Sequence, residues 1–250
     1  MMKNSVLIIF LLGSTCMQLQ GQPEFEIIDD YLEAIGGNEV LSKVKGMRMT
    51  GKLMQQEMEV PFTQVIMNDG RQFSEINIMG LTVKQRVFDG EKMWSVDMST
   101  QEAKYDSDEE LRNLRLGFND FPDVFYNYKN KGYSFKYIGK EKMGERETYK
   151  LEVRKEDLMV NGKQMPDVVY YFIDVEDKLS IAQQTITTDE SGNEILVTIL
   201  FNDYMDVGNG YLTPKSLSQY IGEQLSFELV ITDIELNPVL DDSEFTFPGN

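Results

Sequence analysis

A chain of 250 residues with no histidine and one cysteine, Cys16, has no imidazole for catalysis or metal binding and no second thiol for a disulfide. Its 42 Asp and Glu against 24 Lys and Arg give a net charge of −18, which disfavours nucleic acid and anionic membrane surfaces as partners. Carboxylate pairs, lysine and tyrosine are the only catalytic chemistry left, and no spacing singles out such a set, so a non-enzymatic protein without cofactor or metal is expected.

Lys3, the apolar run Val6–Leu12 and the small or polar residues Gly13–Gly21 follow the order of a cleavable secretory signal. The run is too short to span a bilayer, and cleavage after Gly21 leaves Gln22 first. A second reading treats Gly13-Ser14-Thr15-Cys16 as a lipoprotein signal with Cys16 as an outer-membrane lipid anchor, although the usual leucine three positions before the cysteine is missing. Removing 1–21 takes away one base and leaves 23 basic against 42 acidic residues. No linker, repeat or composition shift divides 22–250, so one domain held by its own core is expected.

Phe25, Ile28, Leu32 and Ile35 recur at helical spacing while Asp29, Asp30 and Glu33 take the other side, which predicts an amphipathic helix. Gly36-Gly37 ends it, and Asn38 is placed to cap a second short helix carrying Val40, Leu41 and Val44. Met47, Met49, Gly51 and Leu53 then alternate with Arg48, Thr50, Lys52 and Met54, so the period changes from helix to strand.

From there Asp69-Gly70, Asp89-Gly90, Asn161-Gly162, Ser191-Gly192-Asn193 and Gly208-Asn209-Gly210 punctuate β-rich runs. Strands are predicted over 46–55, 60–68, 71–80, 82–88, 92–98, 133–141, 146–155, 167–174, 180–189, 194–205, 211–221 and 224–236, an antiparallel meander. One interruption spans about 105–130. Ser107 and Glu110 make a capping box there, Leu111, Leu114 and Phe118 continue at helical spacing, and Phe121, Phe125, Tyr126 and Tyr128 crowd around Pro122. Such an aromatic insertion covers something apolar or packs on one end of the sheet. The acidic clusters Asp108-Glu109-Glu110, Asp174-Val175-Glu176-Asp177 and Asp241-Asp242 lack the spacing and glycine of a calcium loop.

The helix feeding the first strand, the hairpin Val87-Phe88-Asp89-Gly90-Glu91-Lys92-Met93-Trp94 and the ending Phe245-Thr246-Phe247-Pro248 together resemble the LolA/LolB-like family of outer-membrane lipoprotein carriers and lipoprotein-sorting proteins. The resemblance implies a mainly β fold with a few helices: an unclosed, curved antiparallel half-barrel whose concave face is covered by helices over an apolar cavity for acyl chains. It also implies a closing Phe-Thr-Phe-Pro-like strand. The carriers have an Arg-Pro pair before a strand aromatic, whereas this chain reads Asn68-Asp69-Gly70-Arg71-Gln72-Phe73, keeping the aromatic at Phe73 without the proline.

Eight of the twelve methionines after residue 21 fall between 47 and 98, and methionine adapts to irregular apolar partners. The ligand-facing candidates are Ile28, Leu32, Met47, Met49, Leu53, Phe73, Ile76, Ile78, Val87, Trp94, Leu114 and Phe118. The expected activity is periplasmic binding and transport of a lipid or lipidated protein by a monomer, with inner- or outer-membrane proteins as handover partners and no nucleic acid. An envelope sensor or scaffold that grips a protein partner through the same half-barrel is the alternative.

Overall fold

The computed structural model describes residues 22–56, 58–78, 80–188 and 192–248, so the leader expected at 1–21, with Cys16, lies outside the described residues. Helix α1 (Pro23–Ala34) opens with proline, whose missing N–H costs nothing in a first turn, and with Glu24 and Glu26 at the positive end of the helix dipole. Gly36 and Gly37, at φ of +124° and +80°, then turn the chain into α2 (Gly37–Leu41). Gly36 occupies the capping position expected of Asn38, which lies inside the helix.

The first strands are β1 (Gly46–Gln55), β2 (Met58–Met67), β3 (Gln72–Ile78), β4 (Leu81–Phe88), β5 (Met93–Val96) and β6 (Ala103–Tyr105), followed by α3 (Asp108–Leu116). After α3 come β7 (Ser134–Met143), β8 (Arg146–Arg154), β9 (Leu158–Val160), β10 (Lys163–Met165), β11 (Val168–Asp174) and β12 (Ser180–Thr188). The last are β13 (Glu194–Asp206), β14 (Leu212–Ile221) and β15 (Gln224–Leu236). Three-residue β6, β9 and β10 were not foreseen, because so short a run shows no period. All but β9 and β10 form one antiparallel sheet in the order β6-β5-β4-β3-β2-β1-β15-β14-β13-β12-β11-β8-β7. The edges β6 and β7 do not pair, so the sheet is a curved half-barrel and not a closed barrel.

Alternation along each strand assigns every position to a face. Met47, Met49, Gly51 and Leu53 share a face with Ile66 and Phe62 on β2, Ile76 on β3, and Leu229 and Ile231 on β15. This is the concave face, and α1 lies on it: Ile28, Leu32 and Ile35 are buried in one core with Met47, Leu151, Val153, Tyr171 and Ile231. A smaller core occupies the convex face, where Val65, Phe73, Val87 and Trp94 are buried with Phe245. The chain's last segment crosses there as a 3-10 turn at Asp242–Phe245, not as the expected strand. Its carbonyls are taken by side chains: the Trp94 indole donates to Phe245 O (3.0 Å) and Lys84 Nζ to Glu244 O (2.6 Å).

The Ser107–Glu110 capping box forms as expected at the start of α3. Leu114 is buried with Phe88 and Met93. The other side of α3 holds the β9–β10 hairpin: the Asn113 amide donates to Met159 O (2.6 Å) and accepts from Met159 N–H (2.9 Å). Glu109 accepts the N–H groups of Asn161 and Gly162 at 2.8 and 2.7 Å. The helix therefore bridges the β4–β5 side of the sheet to a hairpin inserted between β8 and β11.

Gly51 sits beside a bulge in the β1–β15 pairing, and a Cβ there would overlap the Val230 carbonyl oxygen and lie 2.7 Å from the Phe62 ring. Gly51→Ala is expected to lower stability by about 1–3 kcal/mol, read as a lower urea midpoint at unchanged slope.

Candidate functional site: the concave face

Two elements cover part of the concavity, α1 and the aromatic connection after α3. Phe125, fully buried, meets the Tyr31 ring edge-on at 5.3 Å and the Tyr171 ring at 5.0 Å. Tyr128 packs on Phe25 and Phe135. A polar knot fastens the two elements. The Tyr31 hydroxyl donates to Asp123 Oδ2 (2.7 Å), the Phe125 N–H donates to Asp123 Oδ1 (2.8 Å), and Tyr211 donates to Pro122 O (3.2 Å). Lys131 Nζ donates to the carbonyls of Asp123 and Val124 at 2.9 and 2.8 Å.

Burial pushes the Asp123 carboxyl above the usual range, against the hydrogen bonds from Tyr31 and Phe125 that favour its charged form. Burial raises Tyr31 well above its ordinary value, with Asp123 adding to it. Lys131 is pushed down to about 8 by desolvation, against the attraction of Asp120 and Asp123.

Beneath this cover is a cavity of about 280 Å³, walled by Met47, Met49, Ile66, Met67 and Gln72 of the sheet and by Phe118, Phe121, Pro122 and Tyr211. That is just under the smallest usual small-molecule site, so a longer apolar ligand would have to extend along the sheet or lift the cover. The route along the sheet is apolar. Leu53, Val60, Phe62, Ile76 and Ile78, with Ile199, Leu217, Phe227 and Leu229 from the other half, lie on the concave face and remain half-buried. Met58, Leu81 and Ile221 extend this surface to the hairpin tips, exposed by 56%, 48% and 45%. Their partial exposure marks where the helical cover ends.

The twelve sequence-derived candidates thus fall in four places. Ile28, Leu32, Met47 and Met49 meet in the main core, with both methionines also walling the cavity. Leu114 and Phe118 pack on Phe88 under α3. Leu53, Ile76 and Ile78 line the uncovered half. Phe73, Val87 and Trp94 turn away from all of these into the convex core, because Val87 pairs with Trp94 while their neighbours Phe88 and Met93 take the concave side. Arg71 is equally remote from the cover: it binds Asp69 (2.9 Å) and Asp242 (2.8 Å) and lies over the Phe245 ring.

Ile66, Phe62, Tyr211 and Asp123 were not singled out from the sequence, although Phe62 and Ile66 follow from Leu53 and Met47 once the β1–β2 register is known. Two other clefts are more polar. One of about 440 Å³ holds Lys131, Tyr133, Lys155 and Asp167, where Asp120 already accepts from Tyr133 and Lys155. The other, about 500 Å³, lies between Asp29, Asn38, Glu39 and Tyr126–Asn130. Among the described residues no cluster of three or more acidic or thiol side chains is arranged to hold a metal, and no helix is long and apolar enough to cross a membrane.

An unclosed antiparallel half-barrel with helices over an apolar concave face is the architecture of the LolA-like proteins, and solved structures show the same fold. A lipoprotein-sorting protein domain described as outer-membrane, from Vibrio parahaemolyticus, aligns with a TM-score of 0.52 at 12% identity over 89% of this chain and 96% of its own. A DUF1329 family protein from Desulfovibrio piger aligns at 0.55 and 12% over 90% and 98%, and a LolA superfamily protein from Nitrosomonas europaea at 0.50 and 16% over 86% and 96%. No family model and no curated protein sequence matches the chain. The chain has a LolA-like fold.

The buried knot makes stability depend on pH. A carboxyl whose folded pKa is raised binds its proton more tightly when folded, so its contribution is most favourable in acid and is lost as pH rises from the unfolded value through the folded one. Tyr31→Phe removes a donor to the charged form. It should cost about 2 kcal/mol in urea unfolding at the alkaline end of a pH series and less at the acidic end, because the bond favours the ionised carboxyl. An equal loss at both ends would mean that the bond does not involve the carboxylate.

Proposed function

We propose that this protein is an exported carrier in a bacterial envelope that holds the acyl chain of a lipid or lipidated protein along its concave face, without catalysing a reaction. The observation that carries the reading is the continuous half-buried apolar surface from Met47 and Met49 through Phe62 and Ile76 to Met58 and Leu81, open to solvent beyond the helical cover. Burying acyl chain stabilises by about 0.8 kcal/mol per CH₂, so one long chain left in water costs on the order of 10 kcal/mol. A curved face that shields the chain by dispersion contacts, with few fixed polar anchors, suits both capture and release. The signal-like residues 1–21 and the LolA-like fold support the envelope setting.

Mass spectrometry of organic extracts from the purified protein and displacement of a fluorescent fatty-acyl probe test this directly. Saturable probe binding is expected. Leu53→Glu or Ile76→Glu, each placing a charge on the half-open surface, should weaken it by about tenfold or more, since an unpaired charge against an acyl chain costs at least 1.4 kcal/mol. Phe73→Leu, on the opposite face, should leave probe affinity unchanged. No bound lipid together with no saturable probe binding would refute the carrier reading.

A further inference from the structure

Six of the large apolar side chains that remain exposed lie at one end of the sheet: Met58, Leu81, Ile186, Leu196, Ile221 and Leu225. The strand pairings put the β1–β2, β3–β4, β12–β13 and β14–β15 hairpin tips together at that end. Face assignment separates them. Met58, Leu81 and Ile221 continue the concave surface, whereas Ile186 pairs with Leu196 on the convex side. Leu225 lies opposite Tyr220, which shares that convex side through its pairing with Thr198. Gly222 N–H donates to Leu196 O (2.8 Å), fixing the β14–β15 tip against β13. Ile186, Leu196 and Leu225 are 55%, 40% and 50% exposed on the convex side.

An apolar rim of this kind is unneeded for the fold, since its side chains bury little, and contiguous exposed apolar surface marks interaction sites. The surrounding charge narrows the partner. Among the described residues of these hairpin tips the charged side chains are Glu194 and Glu223, and none is lysine or arginine. Glu194 and Glu223 are exposed and form no ion pair among the described residues. An anionic lipid surface would be repelled, and a second copy would bring the same acids against themselves.

We propose that this convex rim docks a protein segment combining apolar and basic side chains, such as a Lys-bearing amphipathic helix. The hydrophobic side chains Ile186, Leu196 and Leu225 supply the contact, and Glu194 and Glu223 supply orientation and encounter rate. The surface is separate from the acyl site on the concave face, so a carrier could be held by its partner with its ligand in place.

The test uses a synthetic Leu/Lys amphipathic peptide, its Leu/Glu counterpart, and phosphatidylglycerol vesicles, each titrated against the full mature protein. Saturable binding of the Leu/Lys peptide alone is expected. Combined Ile186→Ser, Leu196→Ser and Leu225→Ser, which keeps every charge, should weaken it about tenfold, and Glu194→Gln with Glu223→Gln should weaken it less and flatten its salt dependence. Unchanged affinity in the triple serine variant would leave only non-specific charge attraction and overturn the proposal. So would binding of vesicles, or self-association in sedimentation that the triple variant abolishes, without peptide binding. Fluorescent acyl-probe binding, measured on the same variants, should not change, which separates failure of this docking surface from failure of the carrier reading.

Discussion

An antiparallel sheet that curves without closing has a concave face wider than its own side chains can fill, and the remaining structure is organised around that deficit. Thirteen strands satisfy their backbone groups by pairing, but β6 and β7 keep free edges. The β6 edge is three residues long, and β7 carries Lys136, Lys140 and Lys142, both devices that discourage further pairing. The concave apolar surface has no such simple remedy. It needs added segments, and α1 with the 117–133 connection reaches only part of it.

The covered part is held by unlike forces. Aromatic packing of Phe125 on Tyr31 and Tyr171 is favourable under all conditions, whereas the Asp123 carboxylate at its centre is costly to bury even with two donors. Releasing the connection would return that carboxylate and the Lys131 ammonium to water. Rehydration of these groups would offset part of the packing lost if the cover lifted off the cavity of about 280 Å³ beneath it.

Much of this was legible in the sequence, for identifiable reasons. Ile28, Leu32 and Ile35 advertise their face by helical spacing, and Met47 and Met49 by alternation, so their meeting in one core follows from two local periods. Alternation alone cannot say which of two faces is concave. Val87 and Phe88 are both buried, and only the register of β4 with β3, shifted near the positive-φ residue Arg86, sends Phe88 toward α3 and Val87 toward the C-terminal segment. Asp123 was illegible for a different reason: one acid among 42 acquires meaning only when a helix 92 residues away places Tyr31 against it.

The convex core explains how half of the sheet can stay open. On the concave side of β2 to β5, Val83 is buried and Phe88 and Met93 pack under α3, whereas Ile76 and Ile78 are left half-exposed. A sheet packed on neither face would lack the apolar burial needed to hold its strands. Here the deficit is met from behind: Val65, Phe73, Val87 and Trp94 pack under Phe245, with Phe247 edge-on to Trp94 and stacked on Tyr105. Arg48 and Arg71 pair with Glu244 and Asp242 along the same segment. Because alternation lets one strand serve both faces, stability drawn from the convex side frees the concave side from having to be filled, and leaves its apolar side chains open to an apolar ligand.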